Sequence, residues 1–304
     1  MQARTLTDWI LLTALVAFWG SNFMFIKLGV AAVPPASLVA ARLAIGAVIL
    51  VAVIRSLGYV FPPVGRAWAP YVVLAVVGNC MPFWFITWGQ KHLDSALAGI
   101  LMAVMPLTTL LLAHFFVAGE RMTHYRFAGF LLGFIGVVLL TGPAALASMG
   151  GSPVEILAQL AVLCGGLCYA INGVIIRVAL KGDVMVASAA IIAIAALISI
   201  PVALALDQPW RLEVSSTSAL IVIWIGVGPT AIATLLHLKL ISSAGPTFVS
   251  LINYFIPVVA LILGVALLDE EPAANAYSGL ALILSGIALS QLRRASSRSA
   301  ASRN

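Results

Sequence analysis

Long apolar runs alternate with short polar or proline-bearing links along this chain, and the runs are close to twenty residues long. A helix of that length crosses a hydrocarbon core of ~30 Å. Backbone groups in lipid must be satisfied within their own segment, so the runs predict helices and not barrel strands. Ten spans follow, at approximately 8–30, 36–54, 70–90, 95–118, 127–146, 153–178, 184–206, 218–239, 245–268 and 275–292. Pro34-Pro35, Pro62-Pro63, Gly150-Gly151-Ser152-Pro153, Pro209 and Pro272 punctuate the links, as turn chemistry requires. The predicted fold class is an all-α integral membrane protein with ten transmembrane helices. The first run, Trp9 to Val33, is too long for a signal-peptide core and is expected to stay as the first span.

The pattern repeats. Met105 to Glu120, MPLTTLLLAHFFVAGE, returns as Ile256 to Glu271, IPVVALILGVALLDEE. Pro106 maps to Pro257, Leu110 to Leu261, Leu112 to Leu263 and Glu120 to Glu271, all at an offset of 151. At an offset of 150, Trp19 pairs with Tyr169, Asn22 with Asn172, Ile26 with Ile176 and Lys27 with Arg177. Gly129, Leu132 and Gly136 pair with Gly279, Leu282 and Gly286 at the same offset. Residues 1–148 and 149–292 therefore read as two five-helix repeats, followed by a disordered basic tail at 293–304. Five is odd, so the second copy must cross the membrane in the opposite sense to the first. An inverted repeat lets one set of contacts build both an inward-open and an outward-open state.

Composition agrees with this. The 304 residues are 62% hydrophobic and only 9% charged, and the mean hydropathy is +1.13, outside the range of soluble domains. A net charge of +6 could suggest nucleic acid, but the basic residues stand singly at the ends of runs and read as topology signals. With the N-terminus cytoplasmic, the inner side carries Arg4, Arg55, Arg66, Arg121, Arg126, Arg177, Lys181, Lys239, Arg293, Arg294, Arg298 and Arg303. The outer side carries Lys27, Lys91 and Arg211, with Arg42 inside the second span. Both termini are expected inside. Cys80, Cys164 and Cys168 all fall in apolar runs, and an odd count there argues against a disulfide framework. No GxxxxGK loop is present to bind ATP, and no metal or cofactor motif is found.

Two halves that each open on an aromatic-x-x-Asn helix resemble the EamA-type drug/metabolite transporters. So does a fourth span in each half with a proline and a closing Glu, ahead of a Gly-rich fifth. Here these features are Trp19/Asn22, Pro106, Glu120 and Gly129/Gly136, then Tyr169/Asn172, Pro257, Glu271 and Gly279/Gly286. The resemblance covers residues 8–292 and is strongest to bacterial exporters of aromatic and neutral amino acids. It implies a central cavity lined by the first, third and fourth helices of each half, with the fifth and tenth helices at the periphery or at a dimer contact. It also implies a multi-pass protein of the bacterial inner membrane, monomeric or homodimeric. The small four-helix multidrug relatives use a Glu in their first helix. No acid lies between Trp9 and Val33 here, so that proton-exchange chemistry does not carry over.

Polar groups in mid-span are costly unless a partner or cavity water meets them. Asn22, Asn79, Asn172, Asn253 and His237 stand out. Asn22 and Asn172 either face a cavity, offering donor and acceptor to an amino acid's charged ends, or bond nearby backbone at a helix break. Pro82, beside Asn79 and Phe83, frees a backbone carbonyl one turn earlier, on Gly78. Pro106 and Pro257 do the same and are candidate hinges, against a reading as static kinks. Trp19, Phe23, Phe83, Trp84, Met102 and Tyr169 could form an adaptable apolar pocket. Ser250 and Asn253 share a helical face of the ninth span, so both or neither see the cavity. Glu120 and Glu271 are expected to tie turns through backbone donors, and Lys27, Arg42 and Arg177 to anchor at the interfaces. The glycines at 129, 133 and 136 read as packing.

These readings predict a secondary transporter that exports small metabolites, most of all amino acids, by alternating access. The alternative within the class is a multidrug, other-metabolite or nucleotide-sugar carrier, for which mid-span cations are scarce. A membrane-embedded enzyme would need paired acids in the spans, and none is found. A passive channel has less need of an inverted repeat. The expected partners are a small-molecule substrate and the lipid bilayer. With all ten acids in loops or at span ends, facilitated diffusion or weak coupling stands beside antiport.

Overall fold

A computed structural model gives the fold, and it describes residues 5–63, 65–117, 122–141, 153–180 and 182–301. Glu120, Arg4, Arg121, Lys181, Arg303 and the Gly150–Pro153 link up to Ser152 lie outside the described residues. Among those described there is helix and no strand. Among the described residues seven helices are long and apolar enough to cross a membrane, and three further apolar stretches, His124–Leu139, Ile252–Leu268 and Ala274–Ser290, are shorter. We label them in chain order: α1 (Leu6–Val30), α2 (Pro35–Ser56), α3 (Ala69–Gln90), α4 (Ser95–Phe116), α5 (His124–Thr141), α6 (Pro153–Ala179), α7 (Val184–Leu206), α8 (Ser216–Gly245), α9 (Ile252–Leu268) and α10 (Ala274–Ala301).

Local chemistry sets the ends. Thr5 and Asp8 form a capping box on α1: Thr5 Oγ1 accepts the N–H of Asp8 at 3.2 Å, and Asp8 Oδ2 accepts that of Thr5 at 3.0 Å. Asp8 Oδ1 also takes the Ser243 hydroxyl at 2.8 Å, which ties the start of α1 to the end of α8. Pro35 opens α2 where no N–H is needed, and Asp207 at the end of α7 accepts the N–H of Ser37 in that first turn at 2.6 Å. Lys27 donates to the carbonyl of Leu93 at 2.7 Å and lies 3.8 Å from Asp94, fastening the end of α1 to the α3–α4 link.

Three departures from the sequence pattern have local causes. Gly245, with φ +76°, breaks the helical course after α8, and a turn at Ser250–Leu251 precedes α9. Ser250 is therefore in that turn and not on a face of α9, although its carbonyl accepts the N–H of Asn253 at 3.2 Å. Glu271 is exposed, whereas the neighbouring Glu270 is buried and accepts the N–H groups of Ser95 at 2.7 Å and Ala96 at 2.9 Å. α10 continues to Ala301, into the stretch expected to be a disordered tail, because Arg293 to Ala301 contains no Gly or Pro to stop a helix.

The helices pair by position. α2 packs on α7, α4 on α9 and α5 on α10, while α1 lies against α8 and α9, and α6 against α3 and α4. The α5–α10 seam is backbone to backbone. A Cβ on Gly136 would sit 2.8 Å from the carbonyl oxygen of Gly279, and one on Gly286 would sit 2.7 Å from the nitrogen of Gly133. Small residues allow such an approach without hydrophobic help from water. Large side chains such as Phe115, Phe134, Leu197 and Leu220 point outward, which suits a surface solvated by lipid.

Candidate functional site

Two helices widen at matching points. In α3 the turn Val76–Cys80 is π-helical, and in α8 the turn Gly226–Ile232 is π-helical. Positions 76 and 226 are 150 apart, the same offset as the sequence repeat. A proline accompanies each turn, Pro82 two residues after the one in α3 and Pro229 inside the one in α8. A proline removes one N–H and crowds the preceding turn, and an i→i+5 bond absorbs the mismatch: Met81 N bonds the carbonyl of Val76, and Ala233 N that of Gly228. Such bulges cluster at functional sites.

Each bulge is held from the other end of the chain. The indole N–H of Trp19 in α1 donates to the carbonyl of Pro229 in α8 at 3.1 Å. Asn172 in α6 covers Gly78 in α3 so closely that a Cβ there would overlap its amide. Gly78 is glycine because no other residue leaves room. From the α8 bulge the contacts run on through Arg42. Its Nε and Nη2 donate to Thr230 Oγ1 at 3.3 and 3.2 Å, and its guanidinium carbon lies 3.9 Å from the centre of the Phe83 ring. Phe83 meets Tyr169 edge-on at 6.5 Å. Trp19, Thr230, Arg42, Phe83 and Tyr169 thus form one connected set drawn from α1, α8, α2, α3 and α6.

Arg42 is 3% exposed, so it is no interfacial anchor, contrary to the sequence expectation. It lies seven residues after Pro35, at the start of α2, about 10 Å along the axis. That depth holds it inside the protein, where Phe83 and Thr230 receive it.

The remaining predicted residues fall into groups. His237 lies beside Trp19, with ring centres 5.1 Å apart. Asn22, one turn along α1 from Trp19, has a buried Oδ1 with no hydrogen-bond partner among the described residues. Met102 approaches α6, its sulfur 3.8 Å from where a Cβ on Gly166 would be. Asn79 turns back on its own helix, donating to the carbonyl of Leu74 at 3.4 Å. Phe23 is buried with Ile26, Ile100 and Ala260 and belongs to the packed core. Pro82 is buried next to α6, with its carbonyl oxygen 3.4 Å from the Cβ position of Gly165. Pro106 follows a turn at Ala103–Val104 that divides α4, whereas Pro257 is buried inside an uninterrupted α9. Asn253 is half-buried at the start of α9, and Trp84 stacks on Trp88 at 6.3 Å on an exposed edge. Arg42 was read from sequence only as an interfacial anchor, and Pro229 and Thr230 were not singled out. Laying Gly78 over Gly228 at the offset of 150 would have pointed to the last two.

A cavity of about 520 Å³ lies away from this set, between the α2–α3 and α6–α7 links, lined by Val60, Pro62, Tyr71, Leu180 and Asp183 among others. Both links were assigned to the inner side from their basic residues.

The family model for EamA-like transporters matches the chain twice, over residues 7–142 and 156–292. The chain belongs to the EamA-like transporter family. Among its relatives is the uncharacterized inner membrane transporter YedA of Escherichia coli (strain K12), 25% identical over 283 residues, which cover 91% of this chain and 88% of that protein. The probable terminal-alkyne amino-acid exporter of Streptantibioticus cattleyicolor is 31% identical over 143 residues, 47% of this chain and 45% of that one. A solved crystal structure shares the fold with a TM-score of 0.68 over 96% of this chain and 99% of its own, at 23% identity. This EamA chain is a helical membrane protein, and its relatives are transporters.

Proposed function

We propose that this EamA protein is a secondary carrier that exports small metabolites, amino acids foremost, by alternating access. In this reading residues 1–148 and 149–292 are inverted five-helix repeats, ten spans in all, with both termini on the cytoplasmic face of a bacterial inner membrane and 293–304 as a basic cytoplasmic tail. The protein works as a monomer or homodimer. The substrate sits between the halves, against Trp19, Asn22, Phe83, Tyr169, Asn172 and His237.

The observation that carries this reading is the crossed pair of contacts. The first helix of one half reaches the bulged third helix of the other through Trp19 and Pro229, and the converse contact is made by Asn172 on Gly78. Widened turns are weak points at which helices can bend. A pair of them 150 residues apart, each braced by the opposite half, is what two exchangeable half-structures would use. Helix neighbours that exchange places on a shift of five, α1 on α8 and α6 on α3, support the same scheme. The amino-acid assignment draws on the named exporter that matches about half of this chain, together with the aromatic and amide groups of the site.

The test is counterflow in proteoliposomes preloaded with one unlabelled amino acid, following entry of a labelled neutral amino acid with no ion gradient. Accumulation that depends on the internal amino acid and is lost in Asn22→Ala and Asn172→Ala supports the carrier and its site. Accumulation that survives both substitutions keeps the carrier and rejects the site. Absence of counterflow with every amino acid rejects the substrate class.

A further inference from the structure

Arg42 is the one charged side chain of the connected set, and the protein leaves it incompletely met. Of the five N–H donors on a guanidinium, two reach Thr230 Oγ1, and that hydroxyl is itself committed as a donor to the carbonyl of Ile225 at 2.9 Å. The face of the cation rests on Phe83 at 3.9 Å. Among the described residues no carboxylate is within ion-pair reach of Arg42. A buried cation with neither counter-ion nor a full set of acceptors is costly in a bilayer. A cation–π contact offsets only part of that cost. The protein nonetheless holds Arg42 at 3% exposure and braces it from α8 and α3.

We infer that Arg42 is a binding group for a carboxylate ligand, whose two oxygens take the guanidinium donors left over from Thr230. Arginine suits this because its planar fork matches a carboxylate in two parallel hydrogen bonds. The rest of the ligand then lies along Phe83 and Tyr169, which meet edge-on at 6.5 Å, and toward Trp19, which is bonded to the residue preceding Thr230. The unpartnered buried oxygen of Asn22 supplies an acceptor one turn from Trp19, fit for an ammonium group. The ligand class is a small monocarboxylate with an apolar body, with the α-amino acids as the members that also use Asn22. This deepens the export reading and rests on it for the location of the substrate.

The experiment uses the full chain in proteoliposomes with three probes of one shape: L-leucine, its amide L-leucinamide, and 4-methylpentanoate, which keeps the carboxylate and lacks the amine. Uptake and melting temperature are measured for wild type, Arg42→Lys, Arg42→Gln and Arg42→Met. The expected result is that wild type carries the carboxylate probes about tenfold or more better than leucinamide, the size of one lost hydrogen bond to a charged group. Arg42→Gln and Arg42→Met erase that ratio, and Arg42→Lys, which keeps a point charge but not the fork, retains part of it. Methionine removes a buried cation that has no counter-ion, so that variant melts no lower than wild type. Transport of 4-methylpentanoate without leucine supports the carboxylate site and rejects the amino-acid reading. Equal transport of leucine and leucinamide, or a ratio that survives in Arg42→Gln and Arg42→Met, overturns the inference and leaves the carrier standing. Transport of none of the three overturns both.

Discussion

The carboxylate of Glu270 closes the N-terminus of α4 by accepting the N–H of Ser95 at 2.7 Å, with Ala96 held alongside at 2.9 Å. Asp94 occupies the ordinary capping position and makes no side-chain cap, so the acid that serves this helix comes from 175 residues away. Removing it leaves two buried donors unmet. Glu270→Ala is expected to lower stability by about 1–3 kcal/mol, seen as a drop in melting temperature of the purified protein. Glu271 is exposed and makes the control: Glu271→Ala should stay within about 0.5 kcal/mol of wild type. Equal losses from the two substitutions would reject the assignment.

The Trp19–Pro229 bond can be removed without emptying the site. Trp19→Phe keeps an aromatic ring beside His237 and deletes the donor to the bulge. The carbonyl of Pro229 then loses its partner from α1, at a cost of about 1 kcal/mol. The expected outcome is a modest fall in melting temperature and a slower counterflow rate, because the brace between α1 and α8 is weakened. A variant with wild-type rates would show that the bond only fills space.

The all-helical membrane class was legible in the sequence because its signals are local. Run length and hydropathy act through the bilayer on each segment separately, so spans such as Pro35–Ser56 were found within a residue or two. The α8–α9 boundary was missed because it depends on the positive φ of Gly245, which composition does not announce. Trp19 and Tyr169 stood out in the sequence because they repeat, and the structure joins them in one set of contacts through Pro229, Thr230, Arg42 and Phe83. Arg42 itself was misread. A lone arginine in an apolar run looks like an interfacial anchor until its depth and its partners on other helices are known, and those partners, Thr230 and Phe83, are non-local. Glu270 was missed by one residue: the offset of 151 that aligns Pro106 with Pro257 maps Glu120 to Glu271, whereas the offset of 150 that aligns Gly129 with Gly279 maps it to Glu270.

Gly78 and Asn172 form a pair whose coupling can be measured. A methyl group on Gly78 would overlap the Asn172 amide, so Gly78→Ala is expected to cost about 1–3 kcal/mol through overpacking and to stop counterflow. Asn172→Ala vacates that space. The double substitution should therefore be more stable than Gly78→Ala alone, a coupling of about 0.5–3 kcal/mol in a double-mutant cycle. Additive losses would show that the two residues do not share the contact.

The glycine seam between α5 and α10 makes a separate claim, that these helices hold the fold and take no part in binding. Gly136 faces the backbone of Gly279 and Ile283, and Gly286 faces that of Gly133, so any larger side chain must push the helices apart. Gly136→Leu is expected to destabilise the protein by about 1–3 kcal/mol or more. The seam lies outside the set joining Trp19 to Tyr169, so the folded fraction should keep the wild-type KM in counterflow while its melting temperature falls. A raised KM in protein that melts normally would instead place α5 and α10 next to the substrate, and the central site would have to be redrawn to include them.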